Sequence, residues 1–176
     1  MPSQPDPHGT LPPSPWVVRH LSLVPAGGDV LDLAAGAGRH TRLFLDRGYP
    51  VVAVDRDTTK LADLAGNPLA TIVTADLEGR TWPFGGRRFA GIVVTNYLHR
   101  PLLPTLVGAL APGGALIYET FAMGNERFGK PSNPAFLLKP GELLEAVRGR
   151  LRVVAYEDVQ IDSPKPAMVQ RIAAVA

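Results

Sequence analysis

The sequence has no cysteine, no long apolar stretch and little excess of charge, and each absence narrows what the protein can do. Without cysteine, disulfide frameworks, zinc–thiolate clusters and thiol nucleophiles are excluded. No run of 18 apolar residues is present, so no membrane-spanning helix is expected. Eighteen Lys and Arg against 16 Asp and Glu give a net charge of +2, which is no indication of a nucleic-acid partner. Because the start of the chain lacks a secretory pattern, we expect a cytoplasmic protein.

The length suits one domain preceded by a proline-rich segment. A chain of 176 residues buries a core that needs no disulfide or metal, and no metal site is predicted. Residues 1–15 contain six prolines and almost no apolar side chains. Such a segment cannot offset its ordering entropy by burial, so we expect a flexible tail over residues 1–15 and one domain over residues 16–176.

Short apolar runs alternate with helical patterns through most of this domain. The predicted strands cover residues 29–33, 50–54, 71–74, 90–94 and 115–118. The predicted helices cover residues 39–47, 58–64, 102–110 and 141–148. Apolar strands separated by helices are typical of a parallel sheet covered on both faces, so the predicted class is α/β.

The end of the chain has a different pattern. Residues 151–159 and 168–175 are two further predicted strands, and the link at 161–167 contains Pro164 and Pro166 but no helical pattern. Parallel neighbours need a crossover of about a dozen residues, usually helical. The link therefore predicts an antiparallel hairpin that completes the parallel sheet.

The sharpest local signal is a turn of small residues between the first predicted strand and its helix. Gly36 and Gly38 permit a tight turn and the close approach of a ligand at the carboxyl edge of the sheet. A dinucleotide-binding turn has a third glycine, where this chain has Thr41, and its strand is normally apolar. Asp32 lies inside this strand. Because a carboxylate repels a pyrophosphate and attracts a sulfonium or ammonium group, the pattern favours a cationic cofactor.

Two more acids follow the next two predicted strands. Asp55 ends the second strand, where a carboxylate accepts hydrogen bonds from both hydroxyls of a ribose. Asp76 follows the third strand, where it can accept from an exocyclic amine such as that of adenine. Either acid alone is as well explained by capping a helix or turn. Acids at three successive strands beside a glycine turn favour a nucleoside site.

These residues resemble the class I S-adenosylmethionine-dependent methyltransferases over about residues 16–175, and the small bacterial tellurite- and thiopurine-modifying type in particular. The resemblance implies a Rossmann-like, doubly wound, seven-stranded sheet of order 3-2-1-4-5-7-6 with strand 7 antiparallel. It implies S-adenosylmethionine as the cofactor, with Asp32 under its methionine part, Asp55 at its ribose and Asp76 at its adenine. The implied cofactor-binding residues are Asp32, Ala34, Gly36, Gly38, His40, Asp55, Arg56, Asp76, Leu77 and Asn96.

The methyl acceptor is expected over the ends of the fourth and fifth strands. Of the residues there, Tyr97 and His99 are candidate catalytic residues, with His99 as a general base near neutral pH. Arg100 is placed to bind an anionic substrate, and the long loop after the fifth strand is a candidate lid. Solvent exposure or helix capping is the alternative for each. The predicted substrate-site residues are Trp16, Tyr97, His99, Arg100, Glu119 and Arg127.

We therefore expect transfer of a methyl group from S-adenosylmethionine to a small molecule, by a monomer or homodimer. Residues 95–100 lack the Asn/Asp-Pro-Pro-Tyr pattern of enzymes that methylate nucleobase amines. The alternatives left open are methylation of RNA or protein, a non-enzymatic module that keeps the cofactor, and a nicotinamide-dependent oxidoreductase. Trp16 has two interpretations as well, as a cover over the cofactor or as an apolar anchor for the tail.

Overall fold

The computed structural model describes residues 11–79 and 81–176, which form a sheet of seven strands with helices on both faces. The strands are β1 (Val30–Leu33), β2 (Val51–Asp55), β3 (Ala70–Thr74), β4 (Phe89–Thr95), β5 (Leu110–Phe121), β6 (Arg152–Ile161) and β7 (Ala167–Val175). The α-helices are α1 (Pro15–His20), α2 (Arg39–Asp46), α3 (Leu103–Gly108) and α4 (Glu142–Val147). Short 3₁₀ turns cover Leu21–Leu23, Thr59–Leu64, Arg100–Leu102, Asn125–Arg127 and Pro134–Phe136.

The strand order is β3-β2-β1-β4-β5-β7-β6, which confirms the predicted topology. Strands β1 to β5 pair in parallel, whereas β7 is antiparallel to both β5 and β6. The order in which successive strands are added to the sheet reverses between β1 and β4, which are parallel neighbours. Ligands bind in the crevice at such a switch point, outside the carboxyl ends of the strands.

Alternate residues of the strands enter two separate cores, one on each face of the sheet. Val30 packs with Trp16 and Phe44 on the face covered by α1 and α2. Leu31 packs on the opposite face, in the larger core that includes Leu106 of α3. The near-continuous apolar strands of the sequence are explained by burial on both sides, as a doubly wound sheet requires.

Three predicted elements differ from the structure. The predicted helix at 58–64 is a 3₁₀ turn, Thr59–Leu64. The predicted helix at 102–110 ends at Gly108, because Leu110 already pairs with Phe89 as the first residue of β5. β5 therefore begins five residues earlier than the predicted strand at 115–118 and extends three residues beyond it.

The last residues of the predicted tail are connected to the first helix. Helix α1 starts at Pro15, and Ser14 is its buried N-cap, with a hydroxyl that accepts the N–H of Trp16. Residues 1–10 of the predicted tail lie outside the described residues. In the part of the chain that is described, no helix is long and apolar enough to cross a membrane.

The turn between β1 and α2 needs glycine at two positions for different reasons. Gly36 and Gly38 both have positive φ angles, of 57° and 80°. A Cβ added to Gly36 would meet no atom within 4 Å, whereas one added to Gly38 would lie 2.5 Å from Cδ2 of Leu61. Position 36 is therefore restricted by its backbone alone, and position 38 by its backbone and by packing.

Alanine substitutions at these two glycines should therefore differ in cost. We expect Gly36→Ala to lower the free energy of unfolding by about 1 kcal/mol, the cost of a left-handed backbone for an L-residue. Gly38→Ala adds overlap with Leu61 and should lower it by about 3 kcal/mol. Urea unfolding of both variants measures the difference. Equal losses would contradict the packing assigned to Gly38.

Candidate functional site

A cleft of about 350 Å³ opens at the carboxyl ends of β1 to β4. Its volume is in the range of small-molecule sites. Five predicted cofactor-binding residues and one predicted substrate-site residue come together there, from loops that are far apart in the sequence. The lining residues are Ala34, Asp55, Arg56, Ala75, Asp76, Leu77, Glu78, Tyr97 and Phe136.

Asp55 joins the glycine turn to the end of β2. Its Oδ2 accepts the N–H of Gly36 at 2.8 Å, and its Oδ1 accepts the N–H of Asp57 at 3.0 Å. Each carboxylate oxygen has two lone pairs, so both oxygens keep one acceptor position for a ligand. The side chain is thus oriented by backbone groups before any ligand binds.

The far side of the cleft is acidic at its edge and apolar on its walls. Oδ1 of Asp76 accepts the N–H of Glu78 at 2.9 Å, and Leu77 between them is buried. Burial, and then the charges of Glu78 and Asp76, raise the pKa of Tyr97 to about 12. The Tyr97 phenol is therefore protonated at neutral pH and acts as a hydrogen-bond donor, which argues against a general-base role.

Backbone strain is concentrated beside the cleft. Ala34 and Asn96 both have a φ of 55° and are the non-glycine residues with positive φ in the described ranges. Ala34 follows β1 and lines the cleft, while Asn96 follows β4 and precedes Tyr97. The N–H of Asn96 donates to the carbonyl of Glu119 at 3.0 Å. Strained residues of this kind cluster at binding sites, where the surroundings hold the backbone in place.

Asp32 lies beneath the glycine turn, where it is only 3% exposed. Its Oδ2 accepts the hydroxyl of Thr41 at 2.6 Å. Burial raises the pKa of Asp32 to about 6, against the opposing effect of the Thr41 hydrogen bonds. Thr41, which replaces the third glycine of a dinucleotide fingerprint, is therefore the partner of this unusual in-strand acid.

His40 was predicted to bind the cofactor, but its ring is buried and bonded inside the protein. Its Nε2 accepts the N–H of Ser14 at 3.0 Å, and Nδ1 lies 3.4 Å from the hydroxyl of Thr95. Burial, and then the charge of Arg39, lower the pKa of His40 to about 3. Neutral His40 is required, because a protonated ring could not accept the Ser14 N–H. His40 thus anchors the segment before α1 and does not line the cleft. Its predicted contact with the cofactor stays a prediction.

Glu119 and Trp16, both predicted to contact the substrate, are also internal. Glu119 is 8% exposed, accepts the Ser14 hydroxyl at 2.7 Å and pairs with Arg171 at 3.0 Å. Trp16 is 1% exposed and donates its indole N–H to the carbonyl of Ile172. Trp16 is thus the apolar anchor of the first helix, and Glu119 ties the segment before it to β5.

Arg100 has protein partners in place of the predicted anionic substrate. It pairs with Glu142 through two hydrogen bonds of 2.5 and 3.0 Å. It also donates to the carbonyls of Ala135 and Leu137, each at 2.8 Å. Arg100 thus connects α4, through Glu142, to the backbone at the 3₁₀ turn Pro134–Phe136. Because its donors are used in these contacts, the guanidinium does not face the cleft.

His99 and Arg127 do not line the cleft. His99 is half-buried at the start of the 3₁₀ turn Arg100–Leu102. Arg127 is exposed, donates to the carbonyl of Gly124 and lies over the ring of Phe128 at 5.5 Å. Neither residue therefore gains a substrate role from the geometry of the cleft.

Three lining residues were missed by sequence reasoning. Ala75 and Glu78 flank the predicted pair Asp76 and Leu77, and the presence of a long loop after β3 was the signal for them. Phe136 comes from the segment after β5, more than 50 residues after Ala75 and Glu78 in the sequence. Only its position in a long loop could have marked it, because no spacing rule links it to β2 or β3.

No protein-family model and no curated protein matches the sequence. Solved structures, in contrast, are similar over most of the chain. The 1,6-didemethyltoxoflavin-N1-methyltransferase of Burkholderia thailandensis, crystallised with 1,6-didemethyltoxoflavin and S-adenosylhomocysteine, is 22% identical with a TM-score of 0.69. That alignment covers 92% of this chain and 76% of that chain.

Two further similar structures extend the comparison. TehB from Haemophilus influenzae is 18% identical with a TM-score of 0.71, and the alignment covers 90% of this chain and 60% of TehB. The glycopeptide N-methyltransferase MtfA, complexed with S-adenosylhomocysteine, is 24% identical with a TM-score of 0.60, over 91% of this chain and 87% of MtfA. At such identities the similarity shows a shared fold, the Rossmann-like methyltransferase fold.

Asp32 and His40 predict opposite effects of pH on stability. The pKa of folded His40 is below the unfolded value, so stability is lost as pH falls, by about 2 kcal/mol from pH 7 to 5. The pKa of folded Asp32 is above the unfolded value, so the same change restores about 1 kcal/mol. When the pH falls from 7 to 5, the free energy of unfolding of Asp32→Asn should therefore decrease by about 1 kcal/mol more than that of the unsubstituted protein. Urea unfolding at both pH values checks this.

The control is Asp46→Asn, an exposed acid on α2. Its stability should follow the pH profile of the unsubstituted protein. If Asp32→Asn follows that profile as well, the raised pKa of Asp32 is contradicted.

Proposed function

We propose that this protein is an S-adenosylmethionine-dependent methyltransferase that acts on a small molecule. The observation that carries the proposal is a cleft at the carboxyl edge of the sheet that is lined by Asp55, Asp76 and Ala34, the first residue after β1. Carboxylates at the ends of successive parallel strands are suited to a ribose and to an amino group of a base. The shared fold with structures that contain S-adenosylhomocysteine supports the same cofactor.

The residues present fit a cationic nucleoside. Asp55 keeps a free acceptor position on each oxygen for the two ribose hydroxyls. Asp76 is exposed in the cleft as an acceptor for an amino group, and Leu77 and Tyr97 provide apolar surface for a base. When bound, S-adenosylmethionine would supply a methyl group activated by a sulfonium.

The charge of the cleft favours this ligand over a nicotinamide dinucleotide. The lining includes three acids, Asp55, Asp76 and Glu78, against one base, Arg56. A net negative lining attracts a sulfonium and an ammonium group but repels a pyrophosphate. Asp32 beneath the turn adds to the same field.

The acceptor is proposed to be a small molecule. The end of β5 is covered by the segment before α1, which Ser14 ties to Glu119 and His40. This cover supports a compact acceptor rather than a folded macromolecule. Positioning and desolvation are the main contributions of a protein to such a transfer, so the chemistry requires no general base. His99, two residues after Tyr97, is the candidate base that we propose to test by substitution.

Asp55→Asn should separate the proposed nucleoside site from a site of another kind. The variant retains one oxygen for the Gly36 N–H, but its NH2 group replaces the oxygen that accepts the Asp57 N–H. It also loses the charge that strengthens hydrogen bonds to ribose hydroxyls. We expect S-adenosylhomocysteine to bind the unsubstituted protein and to bind Asp55→Asn at least about tenfold more weakly, measured by isothermal titration calorimetry.

The matched control is Asp46→Asn, which removes the same charge from an exposed site on α2 and should bind normally. Nicotinamide dinucleotides should give no heat. Incubation with S-adenosylmethionine and a panel of small acceptors should then release S-adenosylhomocysteine. Absence of binding to the unsubstituted protein would overturn the proposed function, and binding without turnover on any acceptor would favour a non-enzymatic module.

A further inference from the structure

Phe136 presents an aromatic ring to the cleft although the ring has little protein around it. The residue is 51% exposed and lines the cleft together with Leu77 and Tyr97. Its neighbours Leu137 and Leu138 are 2% and 0% exposed, so the chain on one side is firmly packed. An exposed large aromatic at a concave site is a feature of surfaces that receive a ligand.

The backbone on both sides of Phe136 is held by one guanidinium. Arg100 donates to the carbonyl of Ala135 and to the carbonyl of Leu137, both at 2.8 Å. These two hydrogen bonds bracket Phe136, so the direction in which its ring leaves the backbone is determined by Arg100. Asn133 adds a third constraint, because its side chain accepts the N–H of Ala135 at 2.9 Å.

Arg100 is itself held in place by Glu142 at the start of α4. The two groups form a pair of hydrogen bonds, Nε to Oε1 at 2.5 Å and one terminal nitrogen to Oε2 at 3.0 Å. Such a bidentate pair fixes the relative orientation of the guanidinium and the carboxylate, whereas a lysine would make a single point contact. Glu142 also accepts the N–H of Lys139 at 2.7 Å, which connects the pair to the end of the loop.

The cleft combines an acidic edge with flat apolar walls. Asp55 and Asp76 accept hydrogen bonds at the edge, while the rings of Tyr97 and Phe136 and the side chain of Leu77 line the walls. A purine has this pattern of surfaces, with polar atoms around its rim and two faces that stack on aromatic rings.

We propose that Phe136 stacks on the base of the bound nucleoside, and that the Arg100–Glu142 ion pair is the positioning element that holds Phe136 there. This inference rests on the proposed function, since it assigns one wall of the same site. Arg100 acts through Phe136 and does not touch the ligand, which replaces the substrate role predicted for it from sequence.

The first experiment measures binding of S-adenosylhomocysteine and of adenosine to the full chain by calorimetry. Phe136→Ala should weaken both ligands by the same factor, at least about fivefold, since both contain the base. Phe136→Leu keeps an apolar side chain but has no flat ring, so it should show most of the loss of affinity expected for Phe136→Ala. The control is Phe128→Ala, an exposed phenylalanine of the same segment that does not line the cleft. Its affinity should be unchanged.

The second experiment separates positioning from general stability through a double-mutant cycle. Arg100→Gln should weaken S-adenosylhomocysteine about as much as Phe136→Ala, and Arg100→Lys should recover little because it cannot make the two-pronged pair. The double variant should bind no more weakly than Phe136→Ala alone. Urea unfolding of each variant verifies that it is folded at the titration temperature.

The outcomes distinguish this inference from the function on which it rests. Normal binding by Phe136→Ala, or a loss with S-adenosylhomocysteine but not with adenosine, would overturn the stacking role alone. Losses that multiply in the double variant would overturn the positioning role of Arg100. Because Phe136 is exposed, its variants remain informative even if Arg100→Gln fails to fold. Failure of the unsubstituted protein to bind S-adenosylhomocysteine would overturn both proposals.

Discussion

The site depends on the carboxylate of Asp55, which bonds to the backbone on two sides. One oxygen accepts the N–H of Gly36 in the turn after β1, and the other accepts the N–H of Asp57 after β2. This arrangement joins two parallel strands at the edge where their carboxyl ends meet, and it orients the same carboxylate toward the cleft. A charge-assisted hydrogen bond to a backbone N–H is among the stronger polar contacts in a protein, so the glycine turn and the candidate binding group are mutually stabilised.

A layer of buried polar groups supports this edge without lining the cleft. Thr41 binds Asp32 beneath the turn, and Ser14 connects His40 of α2 to Glu119 of β5. Buried polar groups need partners, because each unpaired one costs free energy comparable to a lost hydrogen bond. These pairs therefore satisfy one another, and as a consequence they are removed from the set of groups that can bind a ligand.

The long segment after β5 makes a second contribution to the cleft, from a distant part of the sheet. It returns to β5 through a bridge between Ala122 and Leu138, and the clamp of Arg100 holds its 3₁₀ turn against α4. Phe136 therefore lines the same cleft as Asp55 and Asp76. A segment expected to lie over the acceptor thus also forms a wall of the cleft below it.

The amino-acid sequence by itself determined the α/β class, the antiparallel end of the sheet and the acids at the ends of β2 and β3, because period and spacing along the chain control where parallel strands end. Resemblance to a family added the strand order. Only the tertiary structure decided which polar side chains remain available to bind a ligand and which are bonded to other parts of the protein. Arg100, His40 and Glu119 have the residue types of ligand-binding groups, yet their partners lie 26 to 105 residues away along the chain. Competition for hydrogen bonds between distant segments is set by packing, and the pattern of a local sequence does not contain it.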